Sequence, residues 1–247
     1  MEIATRSVLN EMGIEYKEIE GWACCGTGVV GEVSPYGAAT LVASNLSLAS
    51  EQGCKRVFTA CGICVYQLYS WQKRLKEESE LRSKVSEILN SHRLTLDLSP
   101  EVLHIIDLIE ENLDRVNVTR ELRGLKVSLY PGCGARNYYF LKGEDVFEKM
   151  QKILEKTGVN VVAKVDTCCG FPIMTYDKKN AKRLALKVVE KSLDADVIVT
   201  LCPFCQYHLD TAQDRKPVVH LHQLLGLAMG LKKEQLGLDK HSNQLRL

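Results

Sequence analysis

Two stretches of the chain spell one pattern. Thr59 to Leu68 reads TACGICVYQL and Thr200 to Leu209 reads TLCPFCQYHL, so Thr-x-Cys-x-x-Cys-x-Tyr-x-Leu occurs twice. Each copy lies downstream of a cysteine doublet followed by glycine, Cys24-Cys25-Gly26 and Cys168-Cys169-Gly170. Aligning Gly13 with Gly158 gives an offset of 145, which becomes 144 at the doublets and 141 at the second motifs. An offset this steady across half a chain marks an internal duplication, and it constrains the fold to two related units.

The second half shows what each unit contains. KVSLYPGC (126–133) is short, rich in β-formers and closed by Pro-Gly, which predicts a strand delivering Cys133 to its end. Helical spacing over 144–158, with Gly158 as the stop, is followed by a strand over 159–165 that runs into the Cys168-Cys169 loop. A helix over 178–195 and a strand over 196–202 complete the order. The first half repeats it: helix 5–13, strand 14–21, the Cys24-Cys25 loop, helix 36–53, strand 55–61, then Cys61 and Cys64. VLHIIDLI (102–109) lines up with VVHLHQLL (218–225), setting His104 against His220. Between the second motif and that histidine lie 39 residues in the first half and 14 in the second, and the extra length includes a charged helical segment over 71–93. These patterns predict an α/β fold of two tandem Rossmann-like β/α units, 1–118 and 119–247, whose cysteines gather at the ends of parallel strands. The offset puts the counterpart of Cys133 near position −12, before Met1, so the first half reads as a copy lacking its opening strand and first cysteine.

Composition narrows the function classes. The net charge is +1, with 32 basic and 31 acidic residues, which argues against a nucleic-acid surface or a polybasic membrane patch. No apolar run approaches the roughly 20 residues that span a bilayer, and the N-terminus mixes charges with apolar residues unlike a signal peptide. A cytoplasmic protein without membrane insertion is expected. In a reducing cytosol its ten cysteines point to metal binding or redox chemistry rather than structural disulfides. Nine of the ten belong to the repeated pattern or to YPGC, while Cys54 stands outside and reads as an ordinary small buried residue.

The second half supplies five thiols, Cys133, Cys168, Cys169, Cys202 and Cys205. A structural zinc uses four, usually from paired Cys-x-x-Cys knuckles, whereas here one partner is a doublet plus a lone cysteine. Soft thiolates select zinc, copper(I) or iron–sulfur clusters, and an extended multi-iron cluster accommodates a doublet more readily than one ion does. Iron–sulfur, zinc and a metal-free thiol redox site all remain open on spacing.

Cys133-x34-Cys168-Cys169-Gly170-x31-Cys202-Pro203-x-Cys205, repeated in degraded form, resembles the tandem cysteine-rich CCG domains of the B-type subunit of heterodisulfide reductase, as does the tail HLHQLLGLAMGLKKEQLGL. That family includes the methanogen subunit, thiol:fumarate reductase, glycolate oxidase iron–sulfur subunits and sulfur-oxidation homologues. The resemblance implies that Cys133, Cys168, Cys169, Cys202 and Cys205 hold a noncubane 4Fe-4S cluster. It implies a second cluster at Cys24, Cys25, Cys61 and Cys64, one ligand short. It further implies a catalytic subunit that reduces or forms a disulfide of small organic thiols, served by the ferredoxin-like subunit and the flavoprotein subunit of a heterodisulfide-reductase-like complex. Two other readings stand beside it: an electron-transfer iron–sulfur subunit of a hydroxy-acid dehydrogenase complex, and a zinc-stabilised interaction subunit without catalysis.

Several neighbours of the cysteines carry a functional and an ordinary reading. His208, His220 and His222 lie near the second motif, and a histidine such as His222 is placed to protonate a leaving thiolate, against the simpler role of a satisfied structural histidine. Tyr66 and Tyr207 read as packing beside the site. Arg136 suits an anionic substrate group or a loop cap. Gly170, Pro172 and Pro203 read as shapers of the loops.

Overall fold

The computed structural model describes residues 1–27 and 29–246. They form two compact units, one of Tyr16–Thr59 with Ile63–His104, the other of Met1–Glu15, Ala60–Gly62 and the chain from Ile105 onward.

In the smaller unit, strands β1 (Arg56–Thr59) and β2 (Glu101–His104) pair in parallel. The helix Pro35–Glu51 starts at Ser34, whose hydroxyl accepts from the Gly37 N–H at 3.1 Å, with Pro35 pre-set for the first turn. The charged segment over 71–93 is helical, but it is divided between the helices Gly62–Glu77 and Ser79–Ser91. The loop that follows is pinned by the buried Gln72, whose amide donates to Leu98 O at 2.9 Å and Pro100 O at 2.7 Å. The strand expected over 14–21 does not form. Its backbone is held by a side chain instead: the Glu20 N–H donates to Gln52 Oε1 and the Gln52 amide to Glu20 O, both at 3.0 Å. Those two bonds saturate polar groups that a neighbouring strand would otherwise take.

In the larger unit, β3 (Lys126–Tyr130), β4 (Asn160–Lys164), β5 (Val197–Thr200) and β6 (Val218–His220) form a sheet of order β4-β3-β5-β6 among the described residues, parallel throughout. β5, Val-Ile-Val-Thr, is buried along its whole length, as a central parallel strand covered on both faces must be. The chain runs from β3 to β4 on one side and then crosses to β5 on the other. The reversal therefore lies between β3 and β5, where parallel α/β sheets open a crevice beyond the strand ends. The helix Cys133–Lys142, which the sequence patterns left unassigned, connects β3 to the helix Val146–Glu155. The aligned histidines hold equivalent places: His104 ends β2 before the helix Ile105–Glu111, and His220 ends β6 before the helix Leu221–Ala228.

The larger unit also contains a buried ion cluster. Asp107, 3% exposed, accepts from the Tyr139 hydroxyl at 2.9 Å, the Tyr138 hydroxyl at 3.2 Å and Lys149 Nζ at 2.8 Å. Lys149 also reaches Glu110 at 2.8 Å and Glu144 at 2.9 Å. Burial works against its charge, yet these carboxylates raise its pKa above the usual lysine range. Removing the cation takes from the buried Asp107 the ammonium it is packed against, while Glu110 keeps Lys152 and Glu144 keeps Lys142. Lys149→Met is expected to lower unfolding stability by about 3 kcal/mol in denaturant titration. Lys73→Ala, which removes the exposed Lys73–Glu77 pair, should change it by about 0.5 kcal/mol or less.

Candidate metal centre

Three strand ends bring the second-half thiols together. Cys133 opens its helix directly after β3, Pro131 and Gly132. Gly132 has φ +80°, and a Cβ there would stand 2.9 Å from Cys205 Sγ, so only glycine lets the strand end pass this close to the sulfur. Beyond β4, the Gly170 N–H donates to Cys168 Sγ at 3.3 Å and the Phe171 N–H to Cys169 Sγ at 3.5 Å. Gly170 has φ +84°, and a Cβ would meet Ala181 O at 2.8 Å. The same carbonyl lies 3.2 Å from His208 Nε2, which makes His208 a buried brace of this loop. After β5, Cys202 is the N-cap of the helix Pro203–Thr211, and Cys205 lies in its first turn. Cys133 and Cys202 thus follow β3 and β5, the two strands that flank the topological reversal.

The thiols act on one another along a run. Cys133 and Cys168, and Cys168 and Cys169, interact electrostatically. Cys169 Sγ lies 3.4 Å from Cys205 Sγ, and Cys205 in turn acts electrostatically on Cys202. The interaction with Cys133, then that with Cys169, holds the Cys168 pKa down to about 2. Cys202 is likewise well below the usual thiol range, first through Cys205 and then through Cys61. Its place at a helix N-terminus acts in the same direction. Cys133 is raised by its interaction with Cys168, Cys169 is pushed up to about 12 by the same partner, and Cys205 is raised by Cys169 and Cys202. With protein groups alone, the crowded sulfurs oppose one another's ionisation. Ionising all five in this space requires positive charge among them, which is what metal ions supply.

Polar atoms around the thiols point the same way. Among the described residues, the Tyr130 hydroxyl, the Thr167 hydroxyl and Arg136 Nε are buried without a hydrogen-bond partner. Tyr130 ends β3, Thr167 precedes Cys168, and Arg136 bears electrostatically on Cys168 while its other guanidinium nitrogen donates to Asp166 O. A run of sulfurs ringed by unused donors suits a group with several metal atoms and its own acceptors better than a single tetrahedral ion.

The smaller unit repeats part of this arrangement. The Gly26 N–H donates to Cys24 Sγ at 3.4 Å, Gly26 has φ +80°, and the thiols of Cys25 and Cys64 lie 3.1 Å apart, well beyond a covalent S–S bond of about 2.05 Å. The buried Asn45 clamps the backbone before the doublet, accepting from the Ala23 N–H at 2.8 Å and donating to Ala23 O at 3.0 Å. Spacing did not reveal Asn45, although a lone amide inside an otherwise apolar helix face is the signal for it. Cys61 belongs to the larger unit. It acts electrostatically on Cys202, while the Gly62 N–H donates to Leu201 O at 3.0 Å and His220 Nε2 lies 3.0 Å from Ala60 O. The cleft of about 380 Å³ lined by Thr40, Leu41, Leu89 and Arg93 contains no cysteine.

His222 is fully buried, with Nε2 3.3 Å from Thr5 Oγ1 and its ring 4.2 Å from that of His220. Tyr207 is 58% exposed, so its ring is turned outward rather than packed beside the thiols. Phe171 and Phe204 stack at 4.5 Å next to Cys169 and Cys205 and supply the apolar wall there.

Comparison with known proteins agrees with the duplication. The chain is 29% identical over 92% of its length, and 86% of the relative's, to the 8-methylmenaquinol:fumarate reductase membrane anchor subunit of Wolinella succinogenes. It is 28% identical over 96% of its length, and 87% of the relative's, to a protein of Archaeoglobus profundus named for its likeness to the B-type subunit of heterodisulfide reductase. No helix among the described residues is long and apolar enough to cross a membrane. The crystal structure of a hypothetical protein from Helicobacter pylori superposes with a TM-score of 0.78 at 17% identity, covering 99% of this chain and 49% of that one, and it shows the same fold. A family model for the cysteine-rich domain, CCG, matches residues 1–69 and again 127–210. The chain therefore belongs to the CCG cysteine-rich domain family and carries that domain in two segments.

Proposed function

We propose that this chain is a redox subunit of a heterodisulfide-reductase-like complex, built of repeats 1–118 and 119–247 and working in the cytoplasm. In this reading Cys133, Cys168, Cys169, Cys202 and Cys205 hold a noncubane 4Fe-4S cluster and the chain reduces, or in reverse forms, a disulfide of small organic thiols. One observation carries it. Five thiols follow three strand ends and meet around Cys205, which lies 3.4 Å from Cys169 and against Gly132 beside Cys133, one thiol more than a tetrahedral zinc uses. The relatives named as B-type subunits of heterodisulfide reductases support the substrate class, and their being subunits supports partners of the ferredoxin-like and flavoprotein kinds. Cys24, Cys25, Cys61 and Cys64 are proposed to hold a second group.

The protein's own residues have definable tasks. The N–H groups of Gly170 and Phe171 hold the doublet sulfurs in place, and Gly132 admits Cys205 beside the end of β3. Phe171 and Phe204 exclude water from one side of the thiols. Arg136, tied to the loop through Asp166 O, presents positive charge near Cys168 and suits an anionic substrate group. When bound, an iron–sulfur cluster supplies single electrons and iron with affinity for sulfur. His222, fully buried among residues remote in sequence, serves better as a structural histidine than as the proton donor.

A second reading rests on the Wolinella succinogenes relative, whose name places it in a quinol:fumarate reductase. There the chain passes electrons between partners, and no disulfide is its substrate. Anaerobic protein with a reduced viologen dye and a panel of small anionic disulfides separates the two. Disulfide-dependent dye oxidation is expected; protein that is fully loaded with iron yet inert toward every disulfide supports the electron-transfer reading.

A further expectation concerns ligand assignment. Cys54, whose N–H closes the helix Pro35–Glu51 at 2.8 Å from Ala49 O, lies outside the repeat, whereas Cys169 is buried at the centre of the thiol run. Cys54→Ser should keep wild-type iron and sulfide in anaerobic metal analysis, and Cys169→Ser should lose about half or more of both. Equal loss in the two variants would show the ligand set to be misassigned.

A further inference from the structure

This inference rests on the reading that the second-half thiols hold an iron–sulfur group, and it concerns Tyr130. β3 is otherwise a short strand of ordinary composition, Lys-Val-Ser-Leu, and its last residue is fully buried. A phenylalanine would fill that volume without bringing a polar atom inside. Tyrosine brings a hydroxyl, and buried hydroxyls in folded proteins nearly always find a partner. Its neighbours in the sheet obey that rule: the Ser128 hydroxyl lies 2.8 Å from that of Ser192. The Tyr130 hydroxyl has no protein partner.

Its surroundings identify what it faces. The groups acting on it electrostatically are, in order, Cys205, Cys169, Cys133 and Cys168, four of the five thiols. Tyr130 pairs in register with Thr200 of β5, so it lies at the reversal between β3 and β5, directly under the crevice. Thr167 Oγ1 and Arg136 Nε, unpartnered beside the same thiols, show that the concentration of unused donors belongs to the site and is no accident of one side chain. We propose that the Tyr130 hydroxyl donates a hydrogen bond to a sulfur atom of the iron–sulfur group held by these cysteines and thereby raises its reduction potential. A donor to sulfur favours the reduced, more negative state over the oxidised one, and hydrogen bonds to sulfur are among the main determinants of such potentials. Tyr130 is a positioning residue in this role, and no step of the reaction passes through it.

The test is an EPR-monitored redox titration of anaerobically purified Tyr130→Phe beside the wild type. Iron and sulfide contents should match, and the midpoint potential should fall. A hydrogen bond that favours the reduced state tenfold corresponds to about 59 mV for one electron. In metal-free protein, Tyr130→Phe should unfold at no lower denaturant concentration than the wild type, because the hydroxyl has no partner to lose there. Fluorotyrosine introduced at position 130 keeps the shape and strengthens the donor, so the potential should move the opposite way; it decides the matter alone if Tyr130→Phe does not fold. Intact iron with an unmoved potential in the folded variants overturns this inference and leaves the proposed function standing. Wild-type protein that takes up no iron overturns both.

Discussion

Five sulfur atoms packed into one buried crevice cannot all be ionised beside one another, and the larger unit is arranged around that conflict. Among protein groups alone the conflict shows in opposite directions along the run, with Cys168 and Cys202 held below the usual thiol range and Cys133, Cys169 and Cys205 raised above it. Positive charge among the sulfurs discharges all five at once, and the unused Tyr130, Thr167 and Arg136 donors then meet acceptors.

The fold creates the crowding through topology and two backbone concessions. A parallel sheet of order β4-β3-β5-β6 directs three cysteine-bearing strand ends to one edge, and the reversal between β3 and β5 keeps helices from covering it. Gly132 and Gly170 then bring backbone within reach of sulfur and of a neighbouring helix, both at positive φ that a side chain would strain. Gly26 does in the smaller unit what Gly170 does in the larger, with the same N–H to sulfur bond. The repeat is thus visible in the conformation of the doublet loop as well as in the spelling of the chain.

Much of this is legible in the sequence. Cysteine groups at strand ends, the α/β alternation, and the paired His104 and His220 positions all follow from periodicity and from the offset between halves. What escapes it depends on partners remote along the chain. Residues 14–21 have the β-rich look of a strand, but no strand forms there and Gln52 takes both backbone bonds of Glu20. Cys61 reads as a companion of Cys64 by spacing, yet the Leu201 carbonyl and His220 draw residues 60–62 into the larger unit beside Cys202. Tyr130 and Asn45 gave no motif, because a single buried polar atom has meaning only once its neighbours are known.

The family relationship and the thiol geometry reinforce each other without being the same argument. Two CCG segments identify the lineage, whereas the sulfur run and its ring of unused donors argue what the site holds. The most direct measurement is X-ray absorption at the iron and zinc edges of protein purified without oxygen. The account predicts iron in a sulfur shell with a clear iron–iron distance. Stoichiometric zinc bound by four sulfurs, with no iron–iron scattering, would contradict it.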